Sequence, residues 1–282
     1  MKNFEIEKDP ELDNLLAKCK EKGLKFGLAL GSGSARGMAH IGVIQALEAY
    51  HIPIDMIAGT SIGAVVGSVY ATVATDIKTG AKVILNQGSV IRAVRASISI
   101  PGIFTPVKYQ DYSLVDGELV DPVPVDVVQK MGADIIIAVN LTEKTPKPII
   151  MILNEETGDL KEVENTFTFK INIKEIPKFK TVEKITSLVE KEVTSLGKMI
   201  KGVKKKLKGP HIIEVISKSV DIMEKEITSR GLSKADVVII PFGIDGISLF
   251  EFDKVEITIK GGIDAALAKI PLIKEVIKEK LK

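Results

Sequence analysis

Ile54-Asp55-Met56-Ile57-Ala58-Gly59-Thr60-Ser61-Ile62-Gly63 runs an apolar stretch straight into a turn of small residues with a serine at its tip. The run 54–58 predicts a buried strand, and the small residues that follow through 69 predict a helix, so Ser61 falls on a strand-to-helix corner. In the pattern G-x-S-x-G, the flanking glycines Gly59 and Gly63 let a strained turn lift a nucleophilic hydroxyl clear of a sheet. The helix behind such a corner aims its N-terminal dipole at a developing oxyanion. The five-residue pattern alone also arises by chance as an ordinary turn. The strand before it and the helix after it favour the nucleophile.

The same strand, turn and helix order occurs upstream. Residues 26–30 are apolar and end in Gly31-Ser32-Gly33-Ser34-Ala35-Arg36-Gly37, after which Ile41, Ile44 and Leu47 continue at helical spacing. Residues 134–140 and 237–241 are two more apolar runs of the kind buried on both faces. The expected fold class is therefore α/β, a three-layer α/β/α arrangement on a mainly parallel central sheet. A glycine loop after a first strand also suits a dinucleotide, but Arg36 stands where the third glycine of G-x-G-x-x-G belongs, and the second strand ends in the serine corner instead of an acid. Backbone N–H groups of such a loop can equally form an oxyanion hole, with the Arg36 guanidinium holding the loop or adding positive potential.

A serine hydroxyl needs a base. His40 lies in the first turn after the glycine loop, His51 in the turn before the second strand and His211 far downstream, and none stands late in the chain behind a strand end. His40 reads better as a packed or capping residue and His51 as a solvated one. The carboxylate alternative is Asp116, in Leu114-Val115-Asp116-Gly117-Glu118-Leu119-Val120-Asp121-Pro122-Val123-Pro124, at the end of a short strand. Asp-Gly is also an ordinary turn signal.

Taken together these stretches resemble the patatin-like phospholipase family, particularly its small prokaryotic members. The resemblance covers residues 24–145 and 211–270 and includes Ala74-Thr75-Asp76, the stretch 95–106, Asp221-Ile222-Met223 and residues 235–239. It implies a Ser61–Asp116 dyad with no histidine, metal or cofactor, and an oxyanion loop comprising Gly31, Gly33, Ser34, Arg36 and Gly37, whose N–H groups near Gly33 and Ser34 receive the oxyanion. The implied activity is cleavage of lipid carboxylic esters, phospholipid or lysophospholipid, through an acyl-enzyme. Acyl transfer by the same serine and a catalytically weak membrane-surface scaffold are the alternatives. The sequence departs from the family pattern at Ser32 and Ser34, where glycines are common, and at Glu118, where Gly or Ala is usual and a second carboxylate would raise the pKa of Asp116. The chain is also much shorter than usual between Tyr70 and Thr75, and carries an unusual insertion at 146–210.

Composition sets the outer bounds. The 282 residues, 45% of them hydrophobic, suffice for one large domain with an insertion. The expected organisation is an N-terminal helical extension over 1–23, a catalytic domain over 24–145 and 211–282, and an insertion over 146–210. The insertion is expected to hold a β-hairpin, from runs at 148–153 and 166–173, and a long amphipathic helix. A net charge of +2 offers no global field for nucleic acid, and a single cysteine excludes an internal disulfide. Charge is nevertheless localised, since residues 178–208 carry a formal +7. Val182, Ile185, Val189, Val193, Leu196, Ile200, Val203 and Leu207 recur there at helical spacing. The segment 181–207 can dock on anionic membrane or simply pack its apolar stripe on its own domain. The charged start lacks a signal-peptide core, so a cytoplasmic protein, peripheral at the inner face of the membrane at most, is expected; oligomeric state is open.

Overall fold

The computed structural model describes residues 9–67, 71–142, 152–153, 160–161, 212–248 and 251–282. The strand β1 (Phe26–Leu30) is wholly buried, with Phe26, Leu28 and Leu30 in one core and Ala29 in another. The strand β7 (Ile135–Val139) behaves alike: Ile135, Ile137 and Val139 face the first core, Ile136 and Ala138 the second. This is how a parallel strand covered on both faces reads, as an unbroken apolar run. Each fully buried Leu or Phe contributes about 1.5–3 kcal/mol over exposure.

The sheet runs β10 (Val237–Ile239), β7, β1, β2 (Met56–Thr60), β3 (Ala71–Asp76), β6 (Tyr112–Asp116), β5 (Val107–Tyr109), with β4 (Lys82–Leu85) also on β3. From β10 to β3 the pairing is parallel, as expected. Beyond β3 it is antiparallel. The first core packs under α2 (Ala39–Ala49), α7 (Val255–Leu267) and α8 (Ile270–Lys280); the second lies under α5 (Val125–Lys130). Sheet and helices therefore form the α/β arrangement predicted.

Register at β3 positions the site. Thr60 pairs with Val73, and the next residue of β3, Ala74, pairs with Asp116. The parallel end of β2 and the antiparallel end of β6 thus meet beside one strand. Three residues of sequence separate α3 (Ile62–Gly67) from β3.

At the N-terminus, α1 (Pro10–Lys22) begins with the Asp9 side chain accepting from Leu12 N and ends on Gly23 in the left-handed region. It packs on α8, with Lys274 Nζ 2.9 Å from both Asp9 and Glu11 carboxylates. In the expected insertion, an antiparallel pair joins Ile152 to Lys161 and Leu153 to Leu160. The run at 166–173 lies outside the described residues, as do the helix expected over 181–207 and His211. Among the described residues, no helix is long and apolar enough to cross a membrane.

Candidate active site

Ser61 follows the last residue of β2 with φ +54, a left-handed conformation that costs a non-glycine residue about 1–3 kcal/mol. Surrounding bonds hold it there. Its N–H donates to Ser97 Oγ at 2.9 Å, and the Ser97 hydroxyl donates onward to the Val73 carbonyl at 2.6 Å. The Ser61 carbonyl accepts from Ala64 and Val65, which starts α3. Gly59 and Gly63 meet across the corner, since a methyl at Gly59 would lie 2.3 Å from the Gly63 oxygen. A methyl at Gly63 would stand 2.1 Å from the Leu30 carbonyl oxygen, so α3 lies directly on the end of β1 and the start of the glycine loop.

The Ser61 hydroxyl donates to Asp116 Oδ2 at 2.7 Å. Ser61 is 4% exposed and Asp116 fully buried. The second carboxylate oxygen, Oδ1, accepts from Glu118 N at 3.0 Å, inside the 3-10 turn Gly117–Leu119. Burial pushes the Asp116 carboxyl up to about 7, a rise that the bonds from Ser61 and Glu118 oppose and the Glu224 charge assists. Glu118 is raised well above the carboxylate range, by burial first and then by Asp116, Glu224 and Asp221. A base whose pKa lies near neutrality is matched to proton transfer from a serine.

The glycine loop lies against the corner, with Gly37 over the Ile62 side chain. Gly33 has φ +151 and Ser34 φ +49. Three amides of the loop are already engaged: Gly31 N–H with the Val139 carbonyl, Ser32 N–H with that of Pro122 and Arg36 N–H with that of Gly33. The Gly31 and Arg36 amides are thus taken up within the fold, whereas the oxyanion is expected at the N–H groups near Gly33 and Ser34. The part of Gly31 and Arg36 is to shape the loop. The Arg36 guanidinium does hold it, donating from Nε to the Ile247 carbonyl at 2.9 Å and from Nη1 toward that of Leu141 at 3.5 Å.

No described histidine serves Ser61. His40 is fully buried, its Nε2 lies 2.8 Å from the Gly31 carbonyl, and desolvation lowers its pKa to about 4, so it is a neutral packed residue steadying the loop. His51 is exposed and lies 4.0 Å from Asp13.

Two residues of the site escape sequence reasoning. Ser97 is buried beneath the corner, and Glu224, on α6 (Ile212–Gly231), is buried with a hydrogen bond to the Ser32 hydroxyl. Burial pushes Glu224 up to about 7, against the bond from Ser32. Residues 221–223 drew notice only as a matching stretch, and nothing in a lone glutamate on an amphipathic pattern says that it turns inward.

Comparison with known proteins bears on the same residues. Residues 28–83 and 71–128 match the family model described as patatin-like phospholipase. The two segments overlap at β3, on the far side of the short α3–β3 connection. The chain is 32% identical over 183 residues to an uncharacterized NTE family protein of Mycobacterium bovis, covering 44% of this chain and 51% of that protein. It is 29% identical over 191 residues to lysophospholipase nte1 of Aspergillus fumigatus, covering 44% of this chain and 12% of that one. The chain thus spans about half the length of the mycobacterial relative it matches.

Proposed function

We propose that the chain, whose residues 28–83 and 71–128 match the patatin-like phospholipase model, is a serine acyl hydrolase of lipid carboxylic esters, working through Ser61 and Asp116. One observation carries the proposal: a left-handed Ser61 whose hydroxyl lies 2.7 Å from a buried carboxylate of raised pKa. Asp116 accepts the Ser61 proton as Oγ bonds to the ester carbonyl carbon. The tetrahedral oxyanion turns toward the loop amides near Gly33 and Ser34, and collapse expels the alcohol, which takes the proton from Asp116. Water then attacks the acyl-Ser61 ester with Asp116 again as base, releasing the fatty acid. The name of the fungal relative makes a lysophospholipid the first substrate to try.

The test compares wild type with Ser61→Ala on p-nitrophenyl butyrate and on a long-chain lysophospholipid. Hydrolysis of at least one ester that disappears with Ser61 is expected. Wild type inert on both, or activity that survives Ser61→Ala, overturns the reading. Peripheral contact with anionic lipid through 181–207 belongs to the same proposal on charge alone. Co-sedimentation with anionic vesicles that is unchanged after removal of that segment contradicts it.

A further inference from the structure

Ser32 stands where the resemblance implies a glycine, and Glu224 is a carboxyl that no motif requires. The two belong together: the Ser32 hydroxyl donates to Glu224 Oε1, 192 residues away, with both side chains buried. The helix that supplies Glu224 buries polar groups at the site. Glu224 and Thr228 are buried on α6, while Val215, Ile216, Ile222 and Met223 are exposed. An amphipathic helix ordinarily buries its apolar stripe, and burying a carboxyl is costly unless it is hydrogen-bonded. Near Glu224, α6 packs against the 3-10 turn Gly117–Leu119 that follows Asp116. The helix therefore meets the site through polar groups, the oxyanion loop on one side and the carboxylates after β6 on the other.

We propose that Glu224 is a positioning residue of the Ser61–Asp116 site: through the Ser32 hydroxyl it fixes the loop that receives the oxyanion, and through its charge it sets the pH at which Asp116 becomes a base. The proposal rests on the hydrolase reading. The groups facing Glu224 are Ser32 and Arg36 from the loop, Asp221 and Lys225 from its own helix, and Asp116 and Glu118 from the end of β6. Arg36 and Lys225 favour its charged form, whereas Asp221, Asp116 and Glu118 oppose it. Three carboxyls in mutual reach do not all ionise near neutrality, and the cluster titrates as a unit. A proton held by Glu118 or Glu224 leaves Asp116 free to act as carboxylate.

The test is the pH profile of kcat/KM on p-nitrophenyl butyrate for wild type, Glu224→Gln, Glu224→Ala and Ser32→Ala, each against a Ser61→Ala blank. Glu224→Gln keeps an acceptor for Ser32 and removes the charge. Its plateau kcat should stay within about 3-fold of wild type while the acid limb moves down by about half a pH unit or more. Glu224→Ala and Ser32→Ala should lose about 10-fold in kcat with KM nearly unchanged, as befits weakened oxyanion contacts. Glu224→Gln with the limb unmoved and Glu224→Ala with wild-type kcat overturns the proposal, even where both variants lower Tm. Should wild type show no Ser61-dependent turnover, the hydrolase reading falls, and carboxyl NMR of 13C-glutamate protein decides the Glu224–Ser32 link. Glu224 titrating near pH 7, and higher still in Ser32→Ala, supports the link; a titration below pH 5 that Ser32→Ala leaves in place refutes it.

Discussion

Two buried acid clusters follow one another in the chain, and they differ in what faces them. Asp116 and Glu118, with Glu224 from α6, stand against one another and the Ser61 hydroxyl. Asp121 and Asp126 instead share Lys82, whose Nζ lies 3.0 Å from one and 2.8 Å from the other. In the second cluster Lys82 and Lys130 hold Asp126 well below the usual carboxylate range in spite of its burial. Asp121, more deeply buried, is still pushed up to about 7. The Lys82 cluster ties β4 to α5, and the Asp121 carbonyl accepts from Thr60 Oγ1, just before Ser61. One cluster is thus a brace held by a lysine that bonds both of its acids, while Asp116 bonds the Ser61 hydroxyl and has the Glu118 and Glu224 carboxyls as charged neighbours. Burial alone does not separate structure from chemistry; the partner of each acid does.

That contrast is most exposed to Asp116→Asn. It should cost at least about 1,000-fold in kcat/KM on any ester the enzyme cleaves, yet raise Tm at pH 8. The folded pKa of Asp116 lies above its unfolded value, so the folded state binds more protons between about pH 4 and 7 and loses stability as pH rises through that window. The amide removes that penalty. A Tm at pH 8 that falls instead would mean that the carboxylate is compensated by groups outside the cluster described.

The brace answers in the opposite sense. Lys82→Met should lower stability by about 2 kcal/mol, discounted from the cost of breaking a fully buried pair because Lys82 is 26% exposed, with kcat/KM of the folded protein within about 3-fold of wild type. Equilibrium urea unfolding and a single assay below the transition check both halves. A large loss of turnover without loss of stability would merge the two clusters into one catalytic unit. Glu118→Gln, the mildest change, should shift the acid limb of kcat/KM from near pH 7 toward lower pH, because one negative neighbour of Asp116 is removed. A limb that moves upward contradicts the assignment of Asp116 as base.

How far the sequence foretold this follows from the range of each interaction. Ser61 and its glycines are written within five residues, and the strand, turn and helix around them each show their own period, so the corner was legible. The parallel half of the sheet was legible for the same reason, since Phe26–Leu30 and Ile135–Val139 are apolar without interruption. The antiparallel half was not. The strands β5 and β4 are short and only partly buried, and their order depends on pairing to β3 and β6, which no local pattern encodes. Asp116 was singled out by motif position, and its 2.7 Å approach to Ser61 depends on the pairing of β6 with β3. Glu224 was missed because α6 buries it together with Thr228 while Ile222 and Met223 beside it are exposed, against the rule by which a helix face is read. Which loop amides are taken up was not legible either, because a glycine-rich loop shows where amides lie, whereas the partner of the Gly31 amide at Val139 belongs to tertiary structure.

The most direct test of the central claim is reaction of wild type and Ser61→Ala with a fluorophosphonate probe, followed by peptide mass spectrometry. A single adduct is expected on the peptide containing Ser61, absent from Ser61→Ala and much slower to form in Asp116→Asn. An unmodified Ser61 in folded wild type, or an adduct forming equally fast without Asp116, would contradict it.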